Sequence, residues 1–134
     1  MNLVLDSSAL IAYLRNESGS DVTEELLEDP GNTCYVHAVN LCEVFYEARR
    51  RAGEERAQAA LVVLSLAGIV TREDLDDDFW REAGRIKADY KRISLADCFC
   101  AVLANRTGAE VVTADRKEFE PIAQQGVCRV RFIR

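Results

Sequence analysis

The chain has 134 residues, of which 49% are hydrophobic and 30% are charged. This balance is typical of a globular protein and excludes a disordered chain, and the length suits a single domain over residues 1–134. Because the formal net charge is -6, the chain as a whole repels polyanions. Nucleic-acid binding would therefore need a local basic patch or a bridging cation.

Three features of the sequence bear on the compartment. No apolar run approaches the roughly 20 residues of a membrane-spanning helix. The first six residues lack the basic and long apolar regions of a secretory signal, so we expect a cytoplasmic protein with no membrane association. The five cysteines are odd in number and irregularly spaced, without a C-x-x-C pair, which predicts reduced and mostly buried thiols.

Short strands and helices alternate through the first half of the chain. Leu3–Leu5 is an apolar run that predicts a buried strand, and Ser7 and Ser8 can cap a helix that carries Leu14 on its apolar face. Apolar spacing and breaks at glycine and proline define the elements that follow. They are a short helix over 21–29, a strand over 33–36, a helix ending at Arg51 and a helix over 54–67.

The second half continues this alternation. A strand over 69–71 precedes a long amphipathic helix whose apolar positions recur at i, i+4, i+7 and i+11 from Phe79 to Tyr90. Pro121 limits helix length, so we expect residues 115–125 to form a loop with one helical turn. The other predictions are a helix from Leu95 to near Gly108, a strand over 111–113 and an edge strand over 128–132.

Strands that alternate with helices from end to end indicate an α/β fold, in which a mainly parallel sheet carries helices on both faces. In such sheets, ligands bind beyond the carboxyl ends of the strands. Asp6 and Asp115 follow predicted strands, and Glu43 and Asp97 lie near the starts of predicted helices. If the adjacent strands are central, all four carboxylates point into one crevice.

Four carboxylates that close would repel one another, and a divalent cation removes this conflict. Magnesium and manganese prefer oxygen ligands, and a water bound to such an ion is acidic enough to attack a phosphodiester. Each acid also has a purely structural alternative. Asp6 and Asp115 can cap helices, and both Asn40-x-x-Glu43 and Ser94-x-x-Asp97 resemble capping boxes. Their shared position at one sheet end favours the metal site.

The arrangement resembles the PIN-domain nucleases over essentially the whole chain. Length and motif order most resemble the VapC-type toxins of bacterial and archaeal toxin–antitoxin pairs. The motifs that carry the resemblance are Asp6-Ser7-Ser8 after the first strand, Asn40-x-x-Glu43, Ser94-Leu95-Ala96-Asp97 and Thr113-Ala114-Asp115-x-x-x-Phe119.

The resemblance implies a three-layer α/β/α sandwich around a mostly parallel sheet of about five strands. It also implies a magnesium-dependent endoribonuclease in which manganese can substitute. VapC-like proteins usually form homodimers and are silenced by a cognate antitoxin, which often binds DNA, so this chain would contact DNA only indirectly.

Site residues follow from the motif matches. Asp6, Glu43, Asp97 and Asp115 would be the catalytic acids, and Asp6, Asp97 and Asp115 would hold the metal, with Asp6 and Asp97 nearest to it. Glu43 is expected to act directly or through water. The auxiliary polar residues implied by the same motifs are Ser8, Asn40 and Thr113.

Basic residues supply candidates for RNA binding. Arg116 and Lys117 flank Asp115 and are best placed to meet RNA phosphates. The run Arg49–Arg51 either complements a helix C-terminus or contacts phosphate or an acidic antitoxin. His37, the single histidine, has a structural and a substrate-contacting interpretation, and the first is favoured.

Glu47, Glu118 and Glu120 are surface residues or auxiliary members of the acid cluster. The function we expect is therefore cleavage of RNA phosphodiester bonds by a toxin. The alternatives are an inactive PIN-like binding module, an RNA-processing or DNA-directed nuclease, and a phosphoacceptor domain of the receiver type. The last is disfavoured because Asp6 is followed by serines rather than by a second acid.

Overall fold

A computed structural model describes all 134 residues as a five-stranded sheet with seven helices. The strands are β1 (Asn2–Leu5), β2 (Thr33–His37), β3 (Val70–Arg72), β4 (Glu110–Thr113) and β5 (Val130–Phe132). The helices are α1 (Ser7–Arg15), α2 (Ser20–Glu28), α3 (Ala38–Ala52), α4 (Glu54–Leu66), α5 (Asp77–Asp89), α6 (Leu95–Thr107) and α7 (Arg116–Gln124).

The sheet is entirely parallel, with strand order β3-β2-β1-β4-β5. At the centre, Val4 of β1 pairs with Tyr35 of β2 and with Val111 of β4. Strand order reverses at β1, so a crevice opens beyond the carboxyl ends of β1 and β4. This order differs from the 2-1-3-4-5 order of receiver domains, which removes the phosphoacceptor alternative.

Alternating side chains of the central strands divide the core between two faces. Leu3 and Leu5 pack with residues of α1 to α4, whereas Val4 packs with residues of α5, α6 and α7. Val111 and Val112 of β4 alternate in the same way. The protein is therefore the predicted three-layer α/β/α sandwich, and β5 lies at an edge as expected.

The predicted elements lie within a few residues of those observed, with one exception. Residues 116–124 form helix α7 rather than a loop, although Pro121 lies inside it. The missing N–H of Pro121 costs one helical hydrogen bond. Two features offset this cost: Asp115 caps the helix, and Phe119 and Ile122 are completely buried against α6 and the sheet.

Two local predictions are also corrected by the hydrogen bonds. Asp6, rather than Ser7 or Ser8, is the N-cap of α1. Asn40 lies inside α3, whose N-cap is His37, so Asn40 and Glu43 form no capping box. All five cysteines are free thiols and only Cys42 is exposed, as predicted. None of the seven helices combines the length and the apolar character needed to span a bilayer.

The burial of Phe119 should be what holds α7 in place. Replacement by alanine (Phe119→Ala) leaves a cavity between α7 and α6, and we expect it to lower the free energy of unfolding by about 3–5 kcal/mol. Val62→Ala is the control because Val62 is 57% exposed on α4, and its effect should stay within about 0.5 kcal/mol. Urea denaturation measures both, and similar effects of the two variants would contradict the assignment.

Candidate active site

Asp6 lies where β1 ends and α1 begins, and it is only 1% exposed. Its Oδ1 accepts hydrogen bonds from the backbone N–H of Ala9 at 2.9 Å and from the Ser8 hydroxyl at 2.7 Å. Its Oδ2 accepts one from the Thr113 hydroxyl at 2.6 Å. Both oxygens of Asp6 are therefore held by protein donors, and its carboxylate has a fixed orientation.

Thr113 and Ser8 connect the ends of the two central strands. The Thr113 hydroxyl oxygen accepts a hydrogen bond from the N–H of Asp115 at 2.9 Å while donating to Asp6. The Ser8 hydroxyl oxygen accepts one from the N–H of Ala114 at 2.9 Å. These bonds position the turn between β4 and α7, and they bring Ser8 and Thr113 into contact with Asp6.

Asp97 reaches the same crevice from the first turn of α6. Ser94 caps this helix by accepting a hydrogen bond from the N–H of Asp97 at 3.1 Å, as the capping-box pattern predicts. Asp97 as a residue is buried, with 6% of its surface exposed, and its Oδ1 has no hydrogen-bond partner. A buried carboxylate oxygen without a hydrogen-bond donor costs free energy, and it indicates a ligand that the protein chain does not itself supply.

Glu118 joins Asp97 and Asp115 in an acidic cluster. Carboxylate oxygens of Asp97, Asp115 and Glu118 all lie within 4.8 Å of one another, and Oε2 of Glu118 is also buried without a partner. From the sequence, Glu118 is either a surface residue or an auxiliary member of the acid cluster. A helix that begins after Asp115 brings Glu118 beside it, since the backbone N–H of Glu118 donates to Oδ1 of Asp115 at 3.0 Å, but Pro121 conceals this helix in the sequence.

The remaining predicted acid, Glu43, borders the cluster from α3. It is half-buried and accepts a hydrogen bond from Ser7 at 3.3 Å. Asn40, completely buried one turn earlier, donates to the carbonyl of Ala96 at 3.0 Å and so ties α3 to the start of α6. Asn40 therefore positions the helix that carries Asp97.

The pKa values record the cost of this crowding. Burial raises the pKa of Asp6 to about 6, although hydrogen bonds from Thr113, Ala9 and Ser8 oppose the shift. Burial raises the pKa of Asp97 well above its usual range, and the neighbouring Glu118, Asp6 and Glu43 carboxylates raise it further. Burial also raises the pKa of Glu43. Ionising these carboxyl groups therefore costs stability in the metal-free protein.

A divalent cation fits this donor set. Hard cations such as magnesium and manganese bind carboxylate oxygens, and three such groups converge here with two oxygens unpartnered. Positive charge at this point would also oppose the upward pKa shifts, since opposite charge favours the ionised carboxylate.

The basic residues predicted to bind substrate separate in the structure. Lys117 lines an open cleft of about 450 Å³ together with Asp115, Glu118 and Arg92. Arg116 instead donates to the carbonyl of Arg134 at 2.8 Å and to Glu120 at 3.1 Å. Its guanidinium also stacks 4.4 Å from the ring centroid of Phe132, so it serves the C-terminal strand.

His37 and Glu47 do not join the cluster. Nδ1 of His37 accepts from the N–H of Val39, so Nε2 carries the proton and donates to the carbonyl of Asp74 at 2.8 Å. The ring stacks on Phe79 and is 2% exposed, which confirms the structural interpretation. Glu47 pairs with Arg50 at 3.6 Å on the surface of α3.

Comparison with known proteins finds relatives that are named VapC ribonucleases. VapC ribonuclease Mb2780c from Mycobacterium bovis is 31% identical over 113 residues, which cover 79% of this chain and 85% of that protein. Ribonuclease VapC42 from Mycobacterium tuberculosis has the same identity and coverage.

Solved structures share the fold at lower identity. VapBC2 from Rickettsia felis, bound to a DNA fragment from its promoter, superposes with a TM-score of 0.73 at 20% identity over 98% of both chains. VapC20 from Mycobacterium tuberculosis, a toxin that cleaves the sarcin-ricin loop, gives 0.69 at 15% identity over 89% of this chain and 94% of its own. Residues 3–124 match the model of the PIN domain, and the chain belongs to that family.

Proposed function

We propose that this protein is a magnesium-dependent endoribonuclease, the toxin of a VapBC-like toxin–antitoxin pair. The observation that carries the proposal is the convergence of Asp97, Asp115 and Glu118, with two buried oxygens that no protein donor reaches. The relatives named as VapC ribonucleases support RNA as the substrate. Manganese should substitute, because it has the same preference for oxygen ligands.

In this proposal Asp97, Asp115 and Glu118 hold the metal, which when bound lowers the pKa of a coordinated water and offsets charge on the scissile phosphate. Asp6, which the sequence places among the metal ligands, is replaced in that group by Glu118, because protein donors hold both Asp6 oxygens; Ser8 and Thr113 fix its carboxylate beside the cluster. Glu43, half-buried at the border of the cluster and not one of the three metal-holding groups, is placed to accept a proton from the attacking water. Lys117 lies at the rim, where a backbone phosphate would approach.

An antitoxin partner is supported by the VapBC complexes among the structural neighbours and by a groove on this chain. The groove, of about 180 Å³, lies between α1, α3 and α4 and is apolar at its base. Its basic rim suits an acidic amphipathic segment of the antitoxin. That rim is formed by Arg15, Arg51 and Arg56.

DNA would be contacted through the antitoxin alone. The proposal also includes a homodimer and a cytoplasmic location, where RNA and antitoxin are both present. Exposed Tyr46 and Trp80, which lie outside the core, are available for a protein interface.

The nuclease proposal is tested by cleavage of single-stranded RNA in magnesium and in manganese. Asp97→Asn and Asp115→Asn each remove one charge from the acidic cluster, and we expect the rate of RNA cleavage to fall at least about 100-fold. Asp89→Asn is the matched control because Asp89 is an exposed acid at the end of α5. A wild-type rate unchanged by EDTA, or full activity in both cluster variants, would contradict the mechanism.

The toxin role predicts growth arrest on expression in bacteria. Asp97→Asn should relieve the arrest, and so should co-expression of an antitoxin encoded beside the gene. Viable counts after induction give the measurement. If arrest persists in Asp97→Asn while RNA cleavage is lost, toxicity does not depend on the nuclease.

Metal-free stability should fall as pH rises. A carboxyl group whose pKa is raised by folding binds more protons in the native state than in the unfolded state. Its contribution to the free energy of unfolding therefore decreases as the pH rises from the unfolded-state pKa, near 4, to the folded-state pKa. Asp6, Glu43 and Asp97 act in this direction. Asp97→Asn should therefore gain at least about 1 kcal/mol over wild type between pH 5 and pH 8 in EDTA.

Magnesium should reverse this difference, because the cation binds the native cluster and stabilises it by mass action. Urea denaturation at each pH, with EDTA or with magnesium, provides the comparison. A wild-type protein whose stability is unaffected by magnesium would rule out the metal site independently of any activity assay.

A further inference from the structure

A second cavity adjoins the acidic cleft. It has a volume of about 180 Å³ and shares two wall residues, Arg92 and Glu118, with that cleft. Its other walls include Tyr90 and Ile93 from the connection between α5 and α6, and Pro121 from α7. Tyr90 and Pro121, together with the buried Ile93, thus border a small space next to the acidic cluster.

The connection that forms this cavity is fixed by its own hydrogen bonds. The ammonium group of Lys87 donates to the carbonyls of Lys91 at 3.0 Å and Ile93 at 2.6 Å. Tyr90 closes α5 by donating its backbone N–H to the carbonyl of Ile86 at 2.9 Å. Ile93 is 1% exposed and anchors the segment in the core. The cavity is therefore preformed rather than dependent on a mobile loop.

Arg92 is free to bind an anion. It is exposed and forms no ion pair or side-chain hydrogen bond, and the same holds for Lys117 across the cleft. Most other arginines near the sheet end have partners, as Arg116 does with Glu120 and Arg72 does with Asp74. Two unpaired cations therefore face a cleft whose floor is acidic, which suits a phosphate backbone that crosses a bound metal ion.

We propose that Arg92 and the Tyr90 cavity form a nucleotide-binding subsite, with Arg92 on a phosphate next to the scissile one and the cavity around the attached base. This inference rests on the proposed ribonuclease function. Proteins bind unpaired bases by stacking them on aromatic rings and on guanidinium planes, and Tyr90 and Arg92 provide both. Because the cavity and the cleft share Arg92 and Glu118, a base in the cavity would lie about one nucleotide from the acidic cluster.

The subsite is tested with RNA that lacks one base. A single-stranded RNA is cleaved by the wild type, the cut is mapped, and abasic nucleotides are then placed one at a time around it. One such position should lower kcat/KM about 10-fold in the wild type, the size expected for loss of one stacked base. Tyr90→Phe keeps the ring and should show the same ratio.

Tyr90→Leu removes the aromatic face while keeping an apolar wall, and the abasic penalty should shrink to less than about twofold. A general loss of folding or of metal binding would lower both rates but leave their ratio unchanged. Thermal denaturation confirms that each variant is folded. An abasic penalty that stays near 10-fold in Tyr90→Leu, or that occurs at no position in the wild type, would overturn the base pocket.

Arg92→Gln should raise KM more than it lowers kcat. It should also make the slope of log kcat/KM against log salt concentration shallower by nearly 1, the value expected for loss of one phosphate contact. Arg92→Lys should restore part of the loss. Arg85→Gln is the control, since Arg85 is an exposed arginine of α5 paired with Glu82 outside the cleft. Equal effects of the Arg92 and Arg85 substitutions would refute the phosphate contact.

Failure of the proposed function is read separately. If the wild type binds labelled RNA in magnesium without cleaving it, the same abasic and variant ratios are measured as affinities by fluorescence anisotropy. The ribonuclease proposal then fails, and the subsite is still decided by those ratios. If the wild type neither cleaves nor binds RNA, both proposals are overturned.

Discussion

The electrostatic repulsion among buried carboxylates is the constraint on which the site depends. Asp6, Asp97, Asp115 and Glu118 come from the ends of two strands and from the starts of three helices, and folding brings them into one crevice. Helix N-termini offset part of their charge through backbone N–H groups. A cation would neutralise the charge that remains. The same repulsion therefore lowers the stability of the metal-free protein and increases its affinity for a metal ion.

The hydrogen bonds of the crevice divide the acids into two kinds. Asp6 receives three protein donors, and the orientation of its carboxylate is thereby fixed by the fold. Asp97 and Glu118 each retain a buried oxygen without a donor, and these are the atoms left for an external ligand. The distinction arises from the helix caps: Asp6 is itself a cap, whereas Asp97 lies three residues beyond Ser94 and leaves its carboxylate free.

Much of the fold and most of the cluster could be predicted from the sequence, because strand ends and helix starts leave local signals. The apolar run Leu3–Leu5 and the position of Asp6 after it suffice to place one acid at the sheet end. The directions of the Glu118 and Arg116 side chains depend on how α7 is turned about its axis. The sequence did not predict this helix because it contains Pro121. Once residues 116–124 are helical, Glu118 turns inward and Arg116 turns toward Phe132. Tertiary burial of Phe119 decides this orientation, and no local signal reports it.

The bond between the Thr113 hydroxyl and Asp6 joins residues separated by 107 positions in the chain. Such distant partners meet late in folding, because closing a long loop costs entropy before any contact repays it. During synthesis the first acid leaves the ribosome long before its partners in α6 and α7. The acidic cluster is therefore incomplete on every nascent chain that has not yet exposed Glu118, and the site is one of the last features of the molecule to form.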